Sequence, residues 1–392
     1  MPADYLFGIT ISRKLQRPEV SWFIFDEPVI AFCLANSYCH VVNKQDKPGL
    51  MDLTIGEMQS LALSQGKREF AGRQLFKWVF RYGADDFDQM TDLSLPLRKY
   101  LRANFSLKKL ELADARFSRD GSTKMAWLTG DEFRIESVVI PDGDRLTLCL
   151  SSQVGCPVGC GFCATGRIGF FRNLTSGEIY DQYQQIRLAQ PKGSRLTNLV
   201  FMGMGEPLLN LENVLKAGAA LTSQLGAGLA AAKITISTIG LIPGIVRLAD
   251  TNPRFKLALS LHSAIETKRR RLVPVASGNS LDELKKALLY FAAKSGRRIT
   301  IEYLLLRGIN DSLEDAKALT DYIRGLPCKI NLLTYNEVPG LDFLPSRMED
   351  AEAFKNYLLP RAPAVTVRKS RGADIDAACG QLAGRKKSRN FG

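Results

Sequence analysis

The sequence predicts an α/β fold: an open, partial (β/α)6 barrel of the TIM type with a small helical domain on its N-terminal side. Three observations carry this. From about residue 146, short β-rich runs alternate with helical stretches. Residues 51 to about 112 follow helical periodicity instead. A knot of cysteines stands directly after the first β-rich run, where barrels of parallel strands carry their chemistry.

Residues 1–50 are irregular, contain Cys33, Cys39 and His40, and end in "NKQDKPG". A clean helical pattern starts at once with "MDLTIGEMQSLAL". The first fifty residues therefore read as an extension, disordered or not native, with Met51 as the start of the native chain. In "KREFAGRQLFKWVFRYG" the residues Ala71, Leu75, Trp78, Val79 and Tyr82 fall on one buried helical face. Arg73, Lys77 and Arg81 recur every four residues on another. That stripe is either a solvated helix side or a phosphate-tracking face of an RNA-binding domain.

Residues 113–145 read as a connecting segment. The barrel, 146–340, is built from "LTLCLS", "TNLVFMG", "KITIST", "FKLALSLH", "RITIEYLLL" and "KINLLTY", with helical stretches such as 176–190, 212–225, 281–294 and 313–325 between them. Six units are too few to close an eight-fold barrel, and a doubly wound sheet is the second choice. The final segment, 341–392, contains "VTVRKSRGADIDAACGQLAG" and ends in a basic tail, "RKKSRNFG".

Lys and Arg outnumber Asp and Glu 53 to 40, a net charge of +13, which suits a phosphate-rich partner. Eight cysteines in 392 residues do not make a disulfide framework. Four of them, Cys149, Cys156, Cys160 and Cys163, lie within fifteen residues, a pattern that suits reduced thiolates in a cytoplasm. The most apolar early run, "WFIFDEPVIAFCLA", is broken by Asp26, Glu27 and Pro28. No membrane span is expected.

Cys156, Cys160 and Cys163 are spaced C-x3-C-x2-C. Structural zinc wants four closed ligands, and Cys149 could complete the set, but zinc sites favour paired C-x2-C knuckles. An iron–sulfur cluster held by only three thiolates keeps one iron open. Three thiolates at this spacing are the signature of radical S-adenosylmethionine (SAM) enzymes. Phe162, before the last cysteine, matches the usual motif, and the loop "ATGRIGFFRN" is rich in small residues.

Beyond the triplet, "CLSSQVGCPVGCGFCATG", "GMGEPLLN", "SLHS", "KINLL" and "RGADIDAACGQL" together resemble the RlmN/Cfr family of RNA adenine methyltransferases, over about residues 52–384. The resemblance implies a radical SAM barrel, a 4Fe-4S cluster on Cys156, Cys160 and Cys163, and two SAM molecules per turnover. It implies methylation of C2 of an adenosine in 23S rRNA and of the adenosine beside the anticodon in tRNA. Cfr-type C8 methylation of the rRNA base is the alternative within the family. Such ring carbons are too electron-poor to attack a sulfonium methyl, so a radical is needed. In the implied mechanism Cys379 carries a methyl group that becomes a methylene radical and crosslinks to the RNA. Cys149 resolves the crosslink through a transient disulfide with Cys379, and Glu136 is the proton acceptor. SAM contacts map onto Gly205, Glu206, Ser237, Ser260, Leu261, His262 and Asn336, which follow or end strands. Implied partners are 23S rRNA, tRNA and a reducing donor such as flavodoxin, with the chain working as a cytoplasmic monomer. "KRRR" (268–271), "RKKSR" (385–389) and Arg368, Lys369 and Arg371 are candidate phosphate contacts, and the target adenosine is expected to leave its stack. A different class, a zinc-stabilised RNA-binding protein without catalysis, stays open on the triplet alone.

Overall fold

The structure, a computed structural model, describes residues 29–32, 40–43, 47–107, 110–191, 194–251, 254–274, 278–368 and 370–383. Most of the N-terminal extension, Lys369 and the "RKKSR" tail lie outside these residues. Within the extension, β1 (Val29–Phe32) and β2 (His40–Asn43) pair antiparallel.

The helical domain holds α1 (Ile55–Ser64), α2 (Glu69–Phe76) and α3 (Leu95–Asn104). A reciprocal cap starts α1: Glu57 N donates to Thr54 Oγ1, and Thr54 N donates to Glu57 Oε2. Gly72 lets α2 cross α1 closely, since a Cβ there would lie 2.4 Å from Gln59 Cα. After Phe76 the helix widens into a π turn, Lys77–Tyr82, ended by left-handed Gly83. The widening corrects the expected face. Tyr82 rotates out of the core and is half exposed, while Phe76 and Phe80 pack inward. The basic stripe is also broken up. Lys77 lies half-buried over the Tyr82 ring, and Arg81, though exposed, donates to the Gln224 carbonyl, so only Arg73 is exposed without such a contact.

Next come β3 (Glu111–Phe117), β4 (Thr123–Leu128), β5 (Arg134–Asp142) and β6 (Arg145–Cys149). A short hairpin, β7 (Gln153–Gly155) and β8 (Phe170–Asn173), brackets α4 (Ala164–Ile168). The repeating part follows as α5 (Ser176–Ala189), β9 (Asn198–Phe201), α6 (Leu211–Thr222), β10 (Ile234–Thr238), α7 (Ile242–Asp250) and β11 (Lys256–Ser260). It continues as α8 (Glu266–Leu272), α9 (Leu281–Ser295), β12 (Ile299–Leu305), α10 (Leu313–Ile323) and β13 (Cys328–Thr334), then α11 (Met348–Leu358) and β14 (Val365–Arg368).

One ten-stranded sheet runs in the order β14-β13-β12-β11-β10-β9-β6-β5-β4-β3. From β6 to β14 every pairing is parallel and the strands lie in chain order without reversal. A doubly wound sheet would reverse at a switch point, so the partial barrel is the architecture observed. Two expectations need correcting. The segment read as a connector contributes β3–β5, an antiparallel wing on β6. The C-terminal segment adds β14 as a seventh parallel strand. Both follow from the same physics: β6 and β13 would otherwise leave unpaired edges.

The helical domain docks on α5. Tyr180 Oη donates to the Phe80 carbonyl at 2.6 Å, Gln184 Nε2 donates to the Val79 carbonyl at 3.0 Å, and the Phe80 and Tyr180 rings meet edge-on. Among the described residues no helix is long and apolar enough to cross a membrane.

Candidate active site

The triplet sits in the β7–β8 excursion, and the close backbone contacts there explain its glycines. Gly155, at φ +75, lets Cys156 N donate to the Gly169 carbonyl at 2.8 Å; Gly161 N donates to the Leu272 carbonyl at 3.1 Å. The approach to the triplet is clamped by a buried polar network. Gln182 Oε1 accepts from Ser151 N and Ser137 Oγ, Gln182 Nε2 donates to the Ser151 carbonyl, and Ser151 Oγ donates to the Glu136 carbonyl. Every partner is buried, so the network has no water to fall back on.

Cys156, Cys160 and Cys163 line one cavity of about 160 Å³ at the C-terminal ends of the parallel strands. Burial pushes Cys156 up to about 12 and Cys160 well above its usual value, so neither ionises unless a metal supplies the charge. Among the described residues no three His, Cys, Asp or Glu side chains converge on one ion-sized point, as structural zinc demands. Cys149 does not line this cavity; the thiol that acts on it electrostatically is Cys379. Three separated thiols around one cavity fit a cluster whose irons take one cysteine each.

Gly205, Glu206, Ser237, Ser260 and His262 line the same cavity. Gly205 stands at φ +98 with its backbone against Gln153. The Glu206 carboxylate is buried; Oε1 accepts from Leu208 N and Oε2 from Ile239 N, and burial pushes it up to about 7. Ser237 and Ser260 hydroxyls are 3.4 Å apart on neighbouring strands. His262 is buried and left-handed at φ +57. Its Nδ1 accepts from Leu304 N at 3.1 Å, and burial holds it down at about 3. The neutral ring therefore carries its proton on Nε2. Leu261 and Asn336 do not border the cavity. Leu261 is fully buried with its N–H on the Glu302 carbonyl, and half-buried Asn336 donates to the Thr334 carbonyl.

Sequence reasoning missed Glu302. It lines the cavity from the middle of β12, with Oε1 accepting from Asn331 Nδ2 at 2.9 Å and Oε2 without a partner among the described residues. A lone acid inside the apolar run "RITIEYLLL" was the available signal.

Cys379 reaches the cavity from the far end of the chain, on a strap that follows β14. Ala164 N donates to the Gly380 carbonyl at 2.7 Å, and Thr165 Oγ1 donates to the Leu382 carbonyl at 2.6 Å. The Cys379 side chain lies deep among protein atoms, which raises its pKa, yet solvent reaches it through the cavity mouth. Cys149, at the end of β6, is buried and pushed up to about 12 by that burial and then by the Cys379 thiol; its sulfur accepts from Met202 N. Both are free thiols. Glu136, on β5, is buried behind the strap, where its Oε2 accepts from Ala383 N at 3.1 Å. Arg368 lines the cavity, and Arg371 lies 3.9 Å from Asp142.

Residues 49–107 match the family described as the ribosomal RNA large subunit methyltransferase N-terminal domain, and residues 150–320 match the radical SAM superfamily. That superfamily implies a 4Fe-4S cluster and SAM. The chain is 42% identical over 339 residues to a probable dual-specificity RNA methyltransferase RlmN of Cytophaga hutchinsonii, covering 86% of this chain and 93% of that one. It is 44% identical over 345 residues to the dual-specificity RNA methyltransferase RlmN of an Anaeromyxobacter species, covering 86% and 91%. A solved radical SAM methyltransferase from Sphaerobacter thermophilus superposes with a TM-score of 0.80 at 40% identity, over 86% of this chain and 99% of that one. With both halves matched and the relatives covered nearly end to end, the chain belongs to the RlmN family of SAM-dependent RNA methyltransferases.

Proposed function

We propose that the chain methylates C2 of adenosine in 23S rRNA, in the peptidyl-transferase region, and in tRNA beside the anticodon. One observation carries the reading: Cys379 lines the cavity that the triplet lines, and its thiol acts electrostatically on Cys149, 230 positions away in the sequence (379 − 149) and buried at the end of β6.

Cys156, Cys160 and Cys163 would hold the cluster, and Gly205, Glu206, Ser237, Ser260 and His262 would surround SAM, with Leu261 and Asn336 supporting from outside the cavity wall. The cluster and SAM, when bound, would supply the one-electron chemistry that turns an S-methyl group into a carbon radical. The chain's own residues do the rest. The Cys379 sulfur takes the methyl group of a first SAM, and a second SAM is spent activating it. The solvent-facing position of Cys379 at the cavity mouth lets an unstacked adenosine reach it. Neutral His262 keeps Nε2–H as a donor and brings no positive charge beside the sulfonium. Glu136 takes the proton from the ring carbon, and the adduct's unpaired electron would return to the one-electron carrier. Cys149 then gives up its thiol proton and attacks the Cys379 sulfur; the sulfur–carbon bond breaks with its pair left on the methylene carbon, which takes up a proton, leaving a Cys149–Cys379 disulfide and the methylated base. Arg368, which lines the cavity, and Arg371, beside Asp142, would meet backbone phosphates near the strap. Electrons come from a donor such as flavodoxin, and the chain acts as a cytoplasmic monomer built of the helical domain, the barrel and the C-terminal segment.

Mass spectrometry of nucleosides from a deletion strain, before and after complementation, tests the product. Return of 2-methyladenosine is expected; 8-methyladenosine alone overturns the C2 assignment. Cys379→Ala is expected to acquire no methyl group, and Cys149→Ala to accumulate covalent protein–RNA adduct. Normal turnover by either variant removes its assigned role.

A further inference from the structure

Lys124 takes no part in the proposed chemistry at Cys379 and Cys149. It is an unusual residue for its place: a lysine in the middle of β4, almost wholly buried. Its ammonium donates to the Asp376 carbonyl at 2.9 Å and lies 3.8 Å from Glu136 Oε2. That same Glu136 oxygen accepts from Ala383 N. The ion pair therefore grips the strap on both sides of Cys379, three residues before it and four after it. Asp376 is also left-handed, at φ +54, a conformation that costs a residue with a Cβ about 1 kcal/mol and persists only where its surroundings enforce it.

The grip depends on charge. Burial lowers the basicity of Lys124; Glu136 and then Asp376 oppose this, while Arg116 and Arg134 act with burial. If Glu136 becomes neutral, the buried ammonium loses its first counter-charge, and the Ala383 N–H loses a charged acceptor. We propose that Lys124 is a positioning residue which, with Glu136, latches the strap across Cys379, and that the latch opens when Glu136 takes up the substrate proton. The inference rests on the assignment of Glu136 as proton acceptor. The proton leaves the ring carbon of the crosslinked adenine, its bonding pair stays with the ring, and the carboxylate becomes a carboxylic acid. Remaining anchors keep the strap attached while it loosens: Ser118 Oγ and Arg119 N on the Asp374 carboxylate, Gly372 N on Asp120, and Thr165 on Leu382. Bond formation at the base thus frees the sulfur for its next partner, Cys149.

Hydrogen exchange read by mass spectrometry on the full chain tests the latch. Glu136→Gln mimics the neutral carboxyl, and Lys124→Met removes the cation at similar length. Each is expected to speed exchange in the peptide 376–383 by at least about 10-fold, with the double variant no faster than either single one. Peptides of β4 and β5 should keep wild-type rates, Lys124→Arg should restore protection, and Thr165→Val should add to either variant. Lys124→Met should also lower kcat for RNA methylation by about 10-fold or more with KM for RNA within about 2-fold. Unchanged strap exchange in either single variant, or additive effects in the double, overturns the latch. If the strap loosens as expected but Glu136→Gln methylates RNA at the wild-type rate, the proton-acceptor assignment falls, and the release step falls with it.

Discussion

Gly155→Ala is the smallest change that should dismantle the triplet. Residue 155 sits at φ +75, which costs an alanine about 1–2 kcal/mol. Its Cβ would lie 1.9 Å from the Gly169 oxygen, where carbon–oxygen contacts ordinarily stop at about 3.3 Å. The Gly169 carbonyl must therefore move by roughly 1.4 Å. It is also the acceptor for Cys156 N, so the move forfeits a hydrogen bond of about 1 kcal/mol. Distorting the hairpin around the new methyl adds about 1–3 kcal/mol. The sum, about 3–6 kcal/mol, is a large share of the stability of a typical domain. Gly143→Ala is the matched control: φ is +56 but no atom lies within 4 Å of the added Cβ, so only about 1–2 kcal/mol is expected. Urea unfolding of both apoproteins by circular dichroism gives the two numbers. Iron per chain after anaerobic purification shows whether Cys156 has been displaced. A Gly155→Ala protein that unfolds within about 0.5 kcal/mol of wild type and keeps its iron would refute the reasoning.

Three further outcomes are expected. Asn310→Ala removes a fully buried amide whose Oδ1 accepts from Leu306 N and whose Nδ2 serves the Leu304 and His262 carbonyls; urea unfolding should show a loss of about 3–5 kcal/mol. Gln182→Leu takes the acceptor from the Ser137 O–H, whose oxygen still accepts from Trp127 Nε1, and leaves Ser151 N and the Ser151 carbonyl without partners; it should cost a similar amount and lower iron content per chain. The pH dependence of the apoprotein should show two opposed slopes. His262, depressed from 6.5 to about 3, gives stability that is present above 6.5 and lost as pH falls; Glu206, raised from 4.5 to about 7, gives stability that is present below 4.5 and lost as pH rises through about 7. Between pH 4.5 and 6.5 each contributes about 1.4 kcal/mol per pH unit with opposite sign, so Glu206→Gln should steepen acid destabilisation by about that slope in urea titrations, and an unchanged slope would count against the Glu206 assignment.

Where the sequence repeats a local pattern, the fold could be read from it. The six parallel strands announce themselves as apolar runs between helices, and the helix bounds 176–190 and 281–294 agree with α5 and α9 to within a residue because Thr175/Glu178 and Ser280/Glu283 form capping boxes. Strand order then brings Gly205, Ser237, Ser260 and His262 together, since parallel strands present their C-terminal ends on one side. Periodicity failed at Tyr82, where a π turn changes the period itself. It failed for β3–β5, whose short half-exposed alternations resemble linker sequence until β6 supplies a partner. No spacing rule could reach Cys379, Glu136 or Lys124. Cys379 and Glu136 became visible through resemblance alone, and Lys124 only through the contacts it makes across 252 positions to Asp376.

The placement of Cys379 on a strap, and not on a strand, suits the several partners that the proposed mechanism gives its sulfur. A strand residue is fixed by ladder bonds on both sides; Cys149, on β6, is held that way between β5 and β9. The strap instead turns through left-handed residues at Gly372, Asp376 and Gly380 and is held by single side-chain bonds from Lys124, Thr165 and Glu136 in place of a ladder. Such a segment can part from its anchors without breaking a strand pairing of the barrel. The fold thus sets a sulfur on a strap against one fixed in a strand, beside a rim of thiols and strand ends. In the proposed mechanism this division is needed: with both sulfurs in strands, the one assigned the methyl group could not meet a base and then its resolving partner; with both on straps, neither would be aimed.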